Sequence, residues 1–445
     1  VCNVAGLSAP TTRTVTGRPD SRKSGEVCRG GNDGNSGTSS SSPVRTIERG
    51  VERIHQLGNN TKLVLERGHT YAVDTTLQIH LNNVVVGAYG SGQKPTIMWT
   101  NLREHWNNKS VFWFDTSKTD FTVRDVTFDS PYGNDTSGYG IPAAIQPSGK
   151  NITVYNVTFD DMGDAILGSA APDGILVLEN DVPGTRDLRR YFTWIEGNDW
   201  TILGNSVPNS TREHIVRISG GERVNVGDND FGNIDRRDQG DPYDYAKGVV
   251  NVQKGQHAYV WGNRLNGSNG TGPLGDADGL SETWARFRHS VFEGNRVTGS
   301  YIIEHGAEHV HLRSNIFDSD DMTAIVVEGY SSTYNRGVVD AHIVNNTIIN
   351  DGSIGQFARV WAGTDDIALA NNLYVAPDLY VGPNGTALLQ INANNLNGFS
   401  TIENNVWADA DYLAWADGLL WVGTGGGNSG FQTKQDWLSF SRVDD

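Results

Sequence analysis

Residues 248–265 read GVVNVQKGQHAYVWGNRL. Two short runs of alternating apolar residues are separated by Lys254 and Gly255, and the second run closes on Gly262 and Asn263. Period-two alternation sends successive side chains to opposite faces of a strand, and Gly or Asn at the ends supplies the turns. The second half of this unit recurs along the chain as TVRDVTF, ITVYNVTF, VNVGDNDF, AYVWGNRL, SVFEGNRV, VHLRSNIF, AHIVNNTI, IALANNLY and STIENNVW. A unit that repeats every 20 to 35 residues or so, each too small to bury its own apolar face, predicts a solenoid of stacked coils. Asn156, Asn229, Asn263, Asn295, Asn315, Asn346, Asn372 and Asn405 fall at one place in the unit, so their amides are expected to hydrogen-bond as a ladder.

Composition agrees with an all-β chain. Across 445 residues there are 53 Gly against 14 Pro, and 37% hydrophobic residues is enough for a continuous core. Residues 44–57 are the exception, because Ile47, Val51, Ile54 and Leu57 recur at helical spacing and predict a short amphipathic helix. The expected organisation is a polar leader over 1–43, coils over 44–407 and an irregular wrap over 408–445. Cys2 and Cys28 both lie in the leader, where a Cys2–Cys28 disulfide is expected to pin a loose end, in an oxidising compartment. Val1 reads as a processed terminus, and no apolar run reaches 18 residues, so a secreted or periplasmic monomer with no membrane partner is expected. A net charge of −17 argues against nucleic acid, whose phosphates demand a basic footprint.

The repeat pattern resembles the right-handed parallel β-helix of the pectate-lyase-like superfamily over about residues 45–440, with the helix as an N-terminal cap. That fold hosts lyases, hydrolases, epimerases and adhesins, so function has to be read from residues. Rungs of a β-helix lie about 4.8 Å apart, close to the length of one sugar in a polymer. Trp261, Trp284 and Trp361 beside the repeating strands are candidates to stack on sugar rings.

Charge is uneven. Residues 212–317 contain 12 of the 35 Lys and Arg residues against 14 acids, with six of the 11 His, so a nearly neutral, cation-rich belt crosses an acidic chain. Such a belt favours an anionic ligand, here an anionic polysaccharide. In REHIVRIS, Val216 and Ile218 share one face and Arg217 takes the other, outward one. Lys254 precedes Asn263 by the same interval as Arg286 precedes Asn295, which predicts vertical neighbours.

EHIVRIS, VVNVQKG and FRH (or EHG one coil later) resemble, over about 90 residues, the motifs of the alginate lyase and chondroitinase B family of polysaccharide lyases. The resemblance implies Lys254 as base and Arg217 with Arg286 on the substrate carboxylate. The family's calcium-binding glutamates are replaced by Lys247 and Val249, so no cofactor is required there; Asp276 and Asp278 are candidate ligands for Ca2+ elsewhere. β-Elimination suits these residue types. The proton beside a uronate carboxylate becomes acidic once Arg neutralises that carboxylate, and a lysine among arginines is more easily deprotonated. His305 or Tyr243 would be the acid, with Arg212, His214, Asn251, His257, Trp261, Trp284, Arg288 and Glu304 as substrate-binding residues.

Three other readings compete. Asp276, Asp278 and Glu282, with Glu304, could form the carboxylate pair of a glycoside hydrolase. GDPYDYAKG at 240–248 resembles the D-P-H-D motif of mannuronan C5-epimerases, with Tyr243 in place of His. A carbohydrate-binding protein would keep the aromatic residues and tolerate loss of Lys254, Arg217 and Arg286. His309 and His311 share one strand face, as metal ligands do, but no third ligand completes a signature.

Overall fold

The computed structural model describes residues 21–101, 110–131, 142–183, 190–210, 213–234, 248–252, 255–266, 288–303, 306–319, 323–329, 337–351, 356–361, 363–376, 389–392, 398–408, 420–423 and 431–432. Each coil contributes three short strands, and like strands of successive coils pair in parallel, giving the expected right-handed parallel β-helix. A long sheet of 14 strands runs from Lys23–Val27 to Phe399–Glu403. The second sheet holds seven strands from Leu77–Ile79 to Val250–Val252, and six more from Tyr301–Ile303 onward. The third runs from Thr70–Val73 to Val406–Ala408, with Asp181 bridging Thr158 to Ser206 between its two parts.

Alternation explains the core. Inward positions carry Val, Ile, Leu and Phe that are almost wholly buried, and like residues stack from rung to rung. Phe128 lies on Phe159 with ring centroids 5.8 Å apart and planes within 8°. Full burial of one such side chain stabilises the fold by roughly 1.5–3 kcal/mol.

The helix forms where expected, over Ile47–Leu57. Thr46 caps it by accepting a hydrogen bond from Arg49 N, and Ile47, Val51 and Ile54 turn inward while Gly50 sits against Val27 and Leu63. The supposed leader is shorter than its composition suggests. Lys23–Val27 is the first rung of the long sheet, paired with Thr61–Glu66. Cys28 Sγ is a thiol that donates to Glu66 Oε2 at 2.6 Å. Cys2 lies outside the described residues. Within the stretch read as a C-terminal wrap, Leu420–Gly423 adds a further rung on Leu389–Asn392.

The asparagine ladder is present with one correction. Asn180, Asn205, Asn229, Asn263, Asn295, Asn315, Asn346, Asn372 and Asn405 are joined Nδ2 to Oδ1 at 2.9–3.0 Å. Asn156 is not a member. It occupies the left-handed residue just before the ladder place (φ 51°), which Val157 fills, and Val157 N donates to Asn180 Oδ1.

The turn from the second sheet into the long one explains Gly255. Gly197, Gly221 and Gly255 have φ of 105°, 148° and 129°, and a Cβ on Gly221 would lie 2.0 Å from Gly197 O. Gly221→Ala is therefore expected to destabilise the protein by about 3 kcal/mol. Urea denaturation measures this, and a loss below about 1 kcal/mol would show that the turn can shift to admit a side chain.

Candidate functional site

Thr193–Glu196, Val216–Gly220 and Val250–Val252 are neighbours in the second sheet, with Trp194, Arg217 and Asn251 in register. Val216 and Ile218 enter the core, so Arg217 faces outward as alternation requires. Its guanidinium lies 4.6 Å from the Trp194 ring centroid, and its Nη1 donates to Tyr191 Oη at 2.7 Å. Tyr191 Oη in turn donates to Glu213 Oε2 at 3.0 Å. Burial first, and then the Glu213 carboxylate, push the Tyr191 phenol far above its ordinary range, so it stays a neutral hydrogen-bonding group at physiological pH.

Tyr191 is also fixed from behind. Its backbone N donates to Asp164 Oδ1, and Arg190 binds the other oxygen of that fully buried carboxylate. Asn251, one rung along from Arg217, is 1% exposed, and its Oδ1 accepts no hydrogen bond among the described residues. A buried acceptor left so costs about 1–3 kcal/mol. A planar guanidinium clamped between an indole face and a phenol suits a carboxylate, which accepts two parallel N–H bonds.

The other expected site residues fall into three groups. Lys254, Arg286, His305, Tyr243, Arg212, Trp284, Glu304, Asp276, Asp278 and Glu282 lie outside the described residues. Gln256 and Arg288, two residues beyond Lys254 and Arg286, do pair in the long sheet, at the separation the ladder alignment requires. His214 is a correction, because it is buried, with Nδ1 2.7 Å from Gly248 O, and pins its strand instead of facing a ligand.

His257, Trp261 and Arg288 are a second correction, since they stand on the long sheet and not beside Arg217. One turn residue decides this: Gly255 carries the chain from one sheet to the next. His257, His289 and His309 there form a file of stacked rings, 5.2 and 4.5 Å between centroids. The file ends at Asp340, whose carboxylate meets both His309 Nδ1 and His342 Nε2. Arg288 is paired with Glu308 at 3.0 Å. His309 and His311 do face the same way, and burial, then His342, lowers the pKa of His311. Trp361 is solvent-exposed beneath the Arg359 guanidinium.

Among the described residues the carboxylates of Asp129, Asp160 and Asp161 converge within 4.8 Å, a spacing that could hold an oxygen-seeking cation. Asp129 and Asp160 are paired on the third sheet, whereas Arg217 is on the second. Tyr191, Trp194 and Glu213 were not among the expected site residues. The signal for them was Asn205: Trp200–Leu203 leads to that ladder residue, so Thr193–Glu196 is the coil immediately before Arg217's.

No protein-family model matches the chain, and no curated protein matches it. Solved structures match the chain at low identity. A surface adhesin of Streptococcus pneumoniae is 13% identical, with 84% of this chain and 95% of that one covered and a TM-score of 0.49. An endo-xylogalacturonan hydrolase of Aspergillus tubingensis is 11% identical, with 87% and 99% covered and a TM-score of 0.46. The A-module of a mannuronan C-5 epimerase of Azotobacter vinelandii is 15% identical, with 81% and 94% covered and a TM-score of 0.44.

Proposed function

We propose that the chain is a polysaccharide lyase that cleaves an acidic, uronate-containing polymer such as alginate by β-elimination, on the outer face of the second sheet. The observation that supports this most is Arg217, an outward arginine whose guanidinium is held by Trp194 and Tyr191. Arg217, with Arg286, neutralises the uronate carboxylate. Lys254, two residues past Val250–Val252, takes the proton from C5. The electron pair forms the C4–C5 double bond as the C4–O4 bond breaks, and His305 or Tyr243 gives O4 its proton.

The test is absorbance at the unsaturated-uronate band with alginate, pectate and glycosaminoglycans, with and without chelator. A rise on one polymer identifies the reaction and the substrate together. New reducing ends without absorbance would replace the lyase by a hydrolase working through Asp276, Asp278 or Glu304, and neither signal on any polymer would sink the proposal.

A further inference from the structure

We infer that the outer face of the long sheet around Trp261 and Tyr259 is a second polysaccharide-binding surface, separate from the Arg217 face. Tyr155, Leu178, Leu203 and Gly227 pair successively along this sheet, and Gly227 pairs with Trp261. The side chains of Tyr155, Leu178, Leu203 and Trp261 point outward, so an apolar stripe crosses these rungs, about 4.8 Å apart. Gly227 keeps the stripe continuous: a Cβ there would lie 2.4 Å from the Trp261 ring, so the indole rests on bare backbone and fills the rung. Trp261 Nε1 donates to Asn225 Oδ1 at 2.7 Å, which fixes the ring in that pose.

Tyr259 stands beside it, 39% exposed, with ring centroids 6.1 Å apart and planes at 26°. Its hydroxyl donates to Glu293 Oε2 at 2.9 Å, and Arg313 Nη2 binds the same oxygen. This is a rigid aromatic platform with a polar rim whose charges already cancel. A pyranose ring offers the matching chemistry, a C–H face for the aromatic rings and hydroxyls for the rim. The stripe is only about two side chains wide, whereas a stable protein interface takes roughly 800 Å² from each partner. One polymer strand lying along the rungs is the occupant that fits.

Affinity electrophoresis through gels containing alginate, polygalacturonate, xyloglucan or β-glucan tests the idea and reads binding whether or not the polymer is cleaved. Arg217→Ala serves as the background, so that the other face contributes little. At least one polymer is expected to retard this variant, and adding Tyr259→Ala or Trp261→Ala should weaken the apparent affinity at least fivefold, while Tyr259→Phe keeps it. The half-exposed Tyr259 can be replaced without disturbing the core, which an unchanged thermal melt would verify. Absence of retardation by every polymer, loss of all retardation in Arg217→Ala alone, or unchanged retardation in the platform variants would each overturn the inference. So would light scattering that finds a dimer dissolved by Tyr259→Ala, since the face would then belong to a second copy of the chain.

Discussion

Lys254→Ala is expected to lower kcat/KM for uronate elimination by about 10⁴, and Arg217→Ala by about 10³, with thermal stability close to that of the parent in both. The first figure is the upper range of what a positioned general base contributes. The second matches the loss of one preorganised charge-stabilising group, about 4 kcal/mol in the transition state. Arg217→Lys discriminates further. It keeps the positive charge but loses the flat guanidinium that lies on Trp194 and the fork that reaches Tyr191. Recovery of no more than about tenfold over Arg217→Ala is therefore expected. Full recovery with Lys would mean that charge alone matters and that the Trp194 and Tyr191 contacts are ordinary packing. Activity unchanged in Lys254→Ala, with the fold intact, would return Lys254 to the common role of a solvated lysine beside a turn and end the assignment of the base.

The fold was legible because a solenoid writes its geometry into the sequence many times over. Alternation in VNVGDNDF and AYVWGNRL assigns inward and outward residues unambiguously, and the ladder asparagines set the register between coils, as the pairing of Val224 with Ala258 and of Val226 with Val260 bears out. Early coils were harder to read. There Val126 and Val157 occupy the ladder place, so the asparagine signal falls one residue early at Asn156, and the coils ending in Asn180 and Asn205 follow a weaker repeat. Trp194 and Tyr191 were lost with them. The candidate site was legible only as far as one strand. Parity places Arg217 outward within Val216–Gly220, but it does not say which of three sheets a residue joins. His257 and Trp261 follow Lys254 closely in the chain, yet the turn at Gly255 separates their sheet from that of Arg217. Proximity in sequence is a poor guide to a shared face in a coil with three sides.

The ladder itself should be the most sensitive element of the fold to a single substitution. Asn263 is 1% exposed, and its side chain makes four hydrogen bonds. Nδ2 donates to Val226 O and Asn295 Oδ1, and Oδ1 accepts from Asn229 N and Nδ2. Asn263→Ala removes all four and strands the Asn229 N–H and one Asn229 Nδ2 hydrogen in the interior. At about 1–3 kcal/mol for each orphaned group, a loss of roughly 4 kcal/mol is expected. Asn263→Asp keeps the shape yet costs more at pH 7, because an oxygen then faces two acceptors and a charge is buried. The new carboxyl's native pKa must lie above its unfolded value, so its penalty grows as pH climbs from the unfolded pKa through the native one. Stability of this variant relative to the parent is thus expected to recover partly toward acid, where protonation returns one donor. Asn405 provides the contrast: it ends the described ladder and is half-buried, accepting from Asn372 N and Nδ2 and donating to Leu369 O. Asn405→Ala should cost about 1 kcal/mol. Urea midpoints across the three variants decide the matter. Equal losses at Asn263 and Asn405 would show that the ladder's contribution is local to each turn, while the expected inequality would show that burial between two rungs is what gives each amide its value.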